Sequence, residues 1–119
     1  MRTSRATIEK LPKIELHCHL DGSISMQTIR QLAQQAGIEL PVSDEDLRLK
    51  ITAPQNAESL MDYLAPFDFV LPMLQTETSL ELAAYDILEQ AQKDNIRYME
   101  IRFAPTLHTA AGLTLSQVV

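Results

Sequence analysis

Cysteine occurs only once in this chain, at Cys18, so no disulfide can form within it and a cystine-stapled scaffold is excluded. A chain without disulfides fits a reducing compartment. Basic residues are outnumbered: 10 Lys and Arg stand against 16 Asp and Glu, a net charge of −6. That balance argues against binding nucleic acid by neutralising phosphates, which needs clustered cations. No apolar run approaches the roughly 18 residues of a membrane span. The opening MRTSRATIEKLPK has no apolar core of a secretory signal. Internal repeats and low-complexity tracts are also missing. The expectation is a cytoplasmic protein with neither nucleic acid nor membrane as partner. What remains is an ordinary foldable composition, 45% apolar and 22% charged, enough for one modest core.

Hydrophobic periodicity then orders the chain. Residues 1–10 read as a loose lead-in. Ile14 to Leu20 alternates as a strand, with Ile14, Leu16, Cys18 and Leu20 on one face and Glu15, His17 and His19 on the other. Asp21-Gly22-Ser23 breaks it. Ser25 is the expected N-cap of a helix to about Gln35, with Ile29, Leu32, Ala33 and Ala36 at helical spacing and Gly37 as its stop. Pro41 and Ser43 open a short helix over Asp44 to Lys50, with acids in the first turn where the helix dipole favours them. An apolar stretch from Glu58 to Leu74 follows, which Pro66 and Pro72 should bend or interrupt. Thr78 or Ser79 is expected to cap a longer helix ending at Asp94-Asn95, with Leu80, Ala83, Ala84, Ile87, Leu88 and Ala91 inside. Ile96 to Ala104 reads as a second strand, stopped by Pro105, and Thr114 to Val119 as the opening turn of another helix.

Strand, helices, strand and helix start make one βα crossover with inserted helices, so the two strands should be parallel. Parallel strands are normally buried on both faces, and two of them make no stable sheet unaided. The expectation is that residues 1–119 form the front portion of one larger domain.

The chemistry concentrates in residues 13–22, KIELHCHLDG. Alternate strand residues share a face, so His17 and His19 point the same way, roughly 6–7 Å apart at their β-carbons. Imidazoles so placed can converge on one ion, and they suit zinc and neighbouring transition metals. Two strand histidines bonded to ordinary neighbours are the plain alternative. Catalytic zinc takes three protein ligands, so this pair is half of a site. Asp21 either serves the Asp-Gly turn or accepts a hydrogen bond from a substrate hydroxyl. Cys18 faces away as a small buried hydrophobe. His108, also past a strand end, reads as a solvated loop histidine with a lesser claim to the same pocket. Arg102 is expected to pair with a carboxylate if its face is buried. Leu60, Tyr63, Leu64 and Phe67 recur at helical spacing, giving either plain core packing or a dry lid over a flat aromatic ligand.

LPKIELHCHLDGS resembles the opening of the adenosine deaminase family of the amidohydrolase superfamily, and LMDYLAPFDFVLPML and NIRYMEIRFAP continue the likeness. His-x-His-Leu-Asp-Gly is far more restrictive than His-x-His. The resemblance covers about residues 11–119 but only about the first third of a family member. It implies a (β/α)8 TIM-type barrel with extra helices after the first strand, and one Zn2+ per full-length chain with His17 and His19 as metal ligands. It also implies substrate contacts from His19, from Asp21 to the ribose 5′-hydroxyl, and from a lid of Leu60, Tyr63, Leu64 and Phe67. The implied reaction is hydrolysis of adenosine or 2′-deoxyadenosine to inosine and ammonia, in purine salvage. Adenine deaminases typically carry Glu-Gly where this chain has Asp21-Gly22, which tilts the expectation to the nucleoside. The third histidine, the zinc-binding Asp and the catalytic Glu should lie beyond Val119, so no catalytic residue is expected within the chain. The isolated chain is expected to be inactive and to self-associate through exposed strand edges. Adenine deaminase, another amidohydrolase, and a non-catalytic binding module remain the alternatives.

Overall fold

A computed structural model describes residues 2–119. Strands β1 (Lys13–His19) and β2 (Ile96–Arg102) lie parallel and adjacent. Between them run helices α2 (Met26–Ala36), α3 (Asp44–Ile51), α4 (Leu60–Val70) and α5 (Glu77–Lys93). Helix α1 (Arg5–Lys10) precedes the sheet and α6 (Leu115–Val118) follows it. Parallel strands need a long crossover, and the inserted helices provide it.

Capping chemistry sets the helix boundaries. Ser25 caps α2 by accepting the Thr28 N–H, and Gly37 ends it at φ +67°, the left-handed conformation that glycine adopts without strain. Ser43 caps α3, and three acids occupy its first turn. Ser59 and Asp62 form a reciprocal capping box on α4. Those hydrogen bonds, first from the Ser59 side chain, hold the Asp62 carboxyl below its ordinary range. The cap of α5 is Thr76 rather than Thr78 or Ser79; Ser79 is instead the third helical residue, closing a capping box with Thr76. Asn95, at φ +57°, ends the turn after α5.

Two further expectations are corrected, for residues 1–10 and for the end of the second strand, and the one for the two prolines holds only at Pro72, where the α-helix gives way to a 3₁₀ segment. Residues 5–10 form a helix capped by Ser4, though it buries nothing. Pro66 does not interrupt α4. The carbonyl that Pro66 leaves without a donor belongs to Asp62, which is exposed, so water can satisfy it. Pro72 sits in the first turn of a 3₁₀ segment, Leu71–Met73, where its missing N–H costs little. Strand β2 ends at Arg102, two residues early, and Pro105 starts a 3₁₀ turn to His108.

The core lies between the sheet and the helices. Ile29 and Leu32 of α2, Leu47 of α3, Leu74 and Ile87 of α5 or its approach are each 2% exposed or less. Burial of each such side chain contributes about 1.5–3 kcal/mol. Cys18 and Leu20 reach this core, but Ile14 and Leu16 are exposed, as are Leu88 and Ala36. The strand pairing slips between Glu15 and Cys18, where three steps on β1 match two on β2. That irregularity lies beside the histidine pair.

Candidate active site

Strand β1 delivers His17 and His19 to its C-terminal end, and their Nε2 atoms approach to 3.1 Å. The rings are tilted by 53° with centroids 5.0 Å apart. Without a cation, this distance is a hydrogen bond in which one ring donates and the other accepts. Two nitrogens bound at about 2.0–2.1 Å to one ion can be no more than about 4.2 Å apart, so the pair also fits a shared metal. Glu15 accepts the His17 backbone N–H at 2.8 Å, bracing the strand where its pairing is irregular. Among the described residues no cluster of three His, Cys, Asp or Glu side chains is placed to hold a metal ion. The histidines are therefore a two-donor set.

A cleft of about 490 Å³ opens beside them. His19 and Asp21 form its floor with Arg102, Phe103 and Ala104 from the end of β2. Met61, Tyr63, Leu64, Phe67, Asp68 and Leu71 form the α4 wall, and Leu107 closes the rim. The volume falls within the usual range for small-molecule sites. The Phe67 and His19 rings form an edge-to-face pair with centroids 5.6 Å apart, and Tyr63 lies 5.9 Å from Phe67. Leu60, the first residue of the expected lid, is 70% exposed and is not part of the lining. His17 also stands outside the lining.

Asp21 is the most unusual group here. It is 8% exposed, and its Oδ1 is buried with no hydrogen-bond partner among the described residues. A buried carboxylate oxygen left unpaired is costly, so it marks a place where a donor from a ligand would be welcomed. Turn chemistry alone would leave this oxygen wet.

Two expectations about neighbouring groups change. His108 is fully buried rather than solvated: its Nδ1–H donates to the Leu74 carbonyl at 2.8 Å and its ring packs edge-on against Phe103. It lies behind the cleft wall, outside the lining. The Arg102–Glu100 pair forms at 3.5 Å, but both side chains are about half exposed, so it is a surface pair worth no more than about 1 kcal/mol. Arg102 also donates to the Leu16 carbonyl across the sheet. Met61, Asp68, Leu71 and Leu107 were not legible as lining residues. Met61 and Leu71 carry no signal beyond an apolar stretch, and Leu107 depends on the 3₁₀ turn after β2.

Residues 12–119 match the family model described as adenosine deaminase. The chain belongs to the adenosine deaminase family. It is 55% identical to the adenosine deaminase of Lactococcus lactis over 94% of this chain and 32% of that one. Likeness to the adenosine deaminase of Lacticaseibacillus casei is also 55%, covering 92% and 32%. Among solved structures, an adenine deaminase from Arthrobacter aurescens superposes with a TM-score of 0.72 at 34% identity, over 89% of this chain and 32% of that one. The chain thus spans about a third of the length of these relatives. In adenosine deaminase family terms its two parallel strands and crossover helices are the N-terminal part of a (β/α)8 barrel, with the cleft at the C-terminal ends of the strands.

Proposed function

We propose that this chain supplies two ligands of a metal centre and one wall of the nucleoside pocket in a zinc-dependent hydrolase. The reaction is adenosine, or 2′-deoxyadenosine, plus water to inosine plus ammonia, in the purine salvage of the cytoplasm. One observation carries the reading: an imidazole pair meeting at 3.1 Å beside a cleft bordered by Asp21, whose buried Oδ1 is unpartnered.

The donor set fits zinc. Two neutral imidazole nitrogens are ordinary zinc ligands, and further ligands would come from other parts of the barrel. When bound, zinc supplies Lewis-acid activation of water at neutral pH. The remaining roles fall to the chain's own residues. His17 and His19 would hold the ion, and His19 would also border the substrate. Asp21 would accept a hydrogen bond from the ribose 5′-hydroxyl, giving its unpartnered carboxylate a donor. Tyr63, Leu64 and Phe67 would lie over the purine and keep water from its faces, with Leu60 at the outer margin of the same helix. No general acid for the purine ring is assigned to residues 2–119, and the 119-residue chain alone is proposed to be inactive.

Adenine deamination is the second reading, favoured by the Arthrobacter aurescens neighbour. The complete natural chain, purified and assayed with adenosine and adenine, separates the two. Preference for adenosine, with zinc bound and lost together with activity in a His17→Ala, His19→Ala double variant, supports the proposal. Preference for adenine would replace it, and a metal-free chain inert to both would make it a binding module. Ile14, Leu16 and Tyr98 are more than half exposed on a sheet with two open edges, so the 119-residue chain by itself is proposed to self-associate.

A further inference from the structure

Helix α2 is capped in an unusual way. In α4, α5 and α6 the N–H of the capping residue is satisfied by the third residue of the same helix: Asp62, Ser79 and Gln117 respectively. In α2 the third residue is Thr28, and the Ser25 N–H is taken at 2.7 Å by Oδ2 of Asp86, 61 residues away on α5. Asp86 Oδ1 accepts the Ser25 hydroxyl at 2.6 Å and the Thr28 hydroxyl at 2.8 Å. Gln90, one turn along α5, donates to Asp86 Oδ2 at 2.8 Å and to the Ser23 carbonyl at 2.9 Å. Asp86 is 7% exposed. Burying a carboxylate is expensive, and a local cap would have satisfied the same N–H without it. What a distant cap adds is a fixed distance between α5 and the start of α2.

That distance bears on the cleft. The segment Asp21–Ile24 is anchored at its start by the Leu20 N–H, which donates to the Arg102 carbonyl at 2.9 Å. Its other end is held by Asp86 at Ser25 and by Gln90 at Ser23. A four-residue span pinned at both ends carries Asp21, a residue of the cleft lining whose buried Oδ1 has no partner among the described residues. We propose that Asp86 is a positioning residue for this site, acting through Ser25, Gln90 and Ser23 to hold Asp21 in register with the ligand. This rests on the nucleoside reading above for the identity of the ligand. Asp86 touches no substrate; its effect passes through the loop.

The test uses the complete natural chain and two substrates, adenosine and 5′-deoxyadenosine, which lacks the hydroxyl assigned to Asp21. Wild type should favour adenosine in kcat/KM by about tenfold or more, the worth of a hydrogen bond to a charged group. Asp86→Asn should lower kcat/KM for adenosine by about tenfold, chiefly through KM, and that for 5′-deoxyadenosine by less than about twofold. Gln90→Leu, which removes one anchor and keeps the carboxylate, should do the same to a smaller degree and serves if Asp86→Asn fails to fold. Equal losses on both substrates would overturn the proposal, leaving Asp86 a structural cap only. Amide hydrogen exchange gives a second readout without substrate: either variant should speed exchange over residues 21–28 and leave β2 unchanged. Unaltered exchange in that segment would overturn the proposal too. If wild type does not act on adenosine, the nucleoside reading falls, and the positioning role stands or falls on exchange alone.

Discussion

Gly22 and Phe67 share a space with no room for a methyl group. A β-carbon at position 22 would stand 2.7 Å from Cε1 and 2.9 Å from Cζ of the Phe67 ring. The main chain of the loop after β1 therefore lies against the Phe67 side chain on the α4 wall of the cleft, and the same ring packs against His19.

Gly22→Ala should push the Phe67 ring outward, costing about 1–3 kcal/mol of stability by overpacking. Pairing it with Phe67→Leu, which withdraws the ring, should recover part of that loss. Thermal or denaturant unfolding of the four forms measures the coupling, and simple additivity would show that the contact does not govern the loop.

Asp21→Asn should separate stability from binding. Asn keeps the shape of the side chain but not the carboxylate whose Oδ1 is buried without a partner, so the melting temperature should hold or rise. Under the proposed function, KM for adenosine should rise about 10- to 100-fold while turnover of bound substrate falls less. Calorimetry and steady-state kinetics on the same preparation check both halves.

Leu32 is fully buried and Leu49 is 75% exposed, on neighbouring helices. Leu32→Ala should cost about 2–5 kcal/mol through lost burial and the cavity left behind. Leu49→Ala should stay within about 0.5 kcal/mol. Chemical denaturation with the two variants side by side tests where the core lies.

Asp86 should make stability fall in acid. Burial pushes its carboxyl upward, but hydrogen bonds from Ser25, Thr28 and Gln90 outweigh that and hold it below its ordinary 3.8. A folded-state value below the unfolded one contributes stability that is present above the unfolded value and lost as pH falls through the folded one. Asp86→Asn should therefore be less stable than wild type by about 1.5–3 kcal/mol at pH 7. The gap should close as pH drops below about 4. Unfolding curves between about pH 7 and about pH 2.5 read this directly.

Much of the fold follows from local chemistry. Ser25, Ser43, Gly37 and Asp94-Asn95 punctuate the helices as their side chains and conformational freedom require. Alternating Met99 and Ile101 mark β2, Phe103 continues the alternation just past its end, and each packs on the core. The misplaced cap at Thr76 shows the limit of such reading, since Thr76, Thr78 and Ser79 are all competent caps, and the structure seats Thr76 there with Ser79 closing the capping box. Pro66 shows it again: whether a proline breaks a helix depends on whether water reaches the orphaned carbonyl.

In the candidate site, the period of an extended chain was enough to bring His17 and His19 together, because side chains two apart must share a face. The helical repeat was enough to put Tyr63, Leu64 and Phe67 on one wall. Those are relationships within one element, and periodicity encodes them. Burial of Asp21 and His108, exposure of Leu60, and the long-range cap from Asp86 arise where separate elements meet. No repeat in the sequence records which turn of α5 lies against the start of α2, so only tertiary packing could decide them.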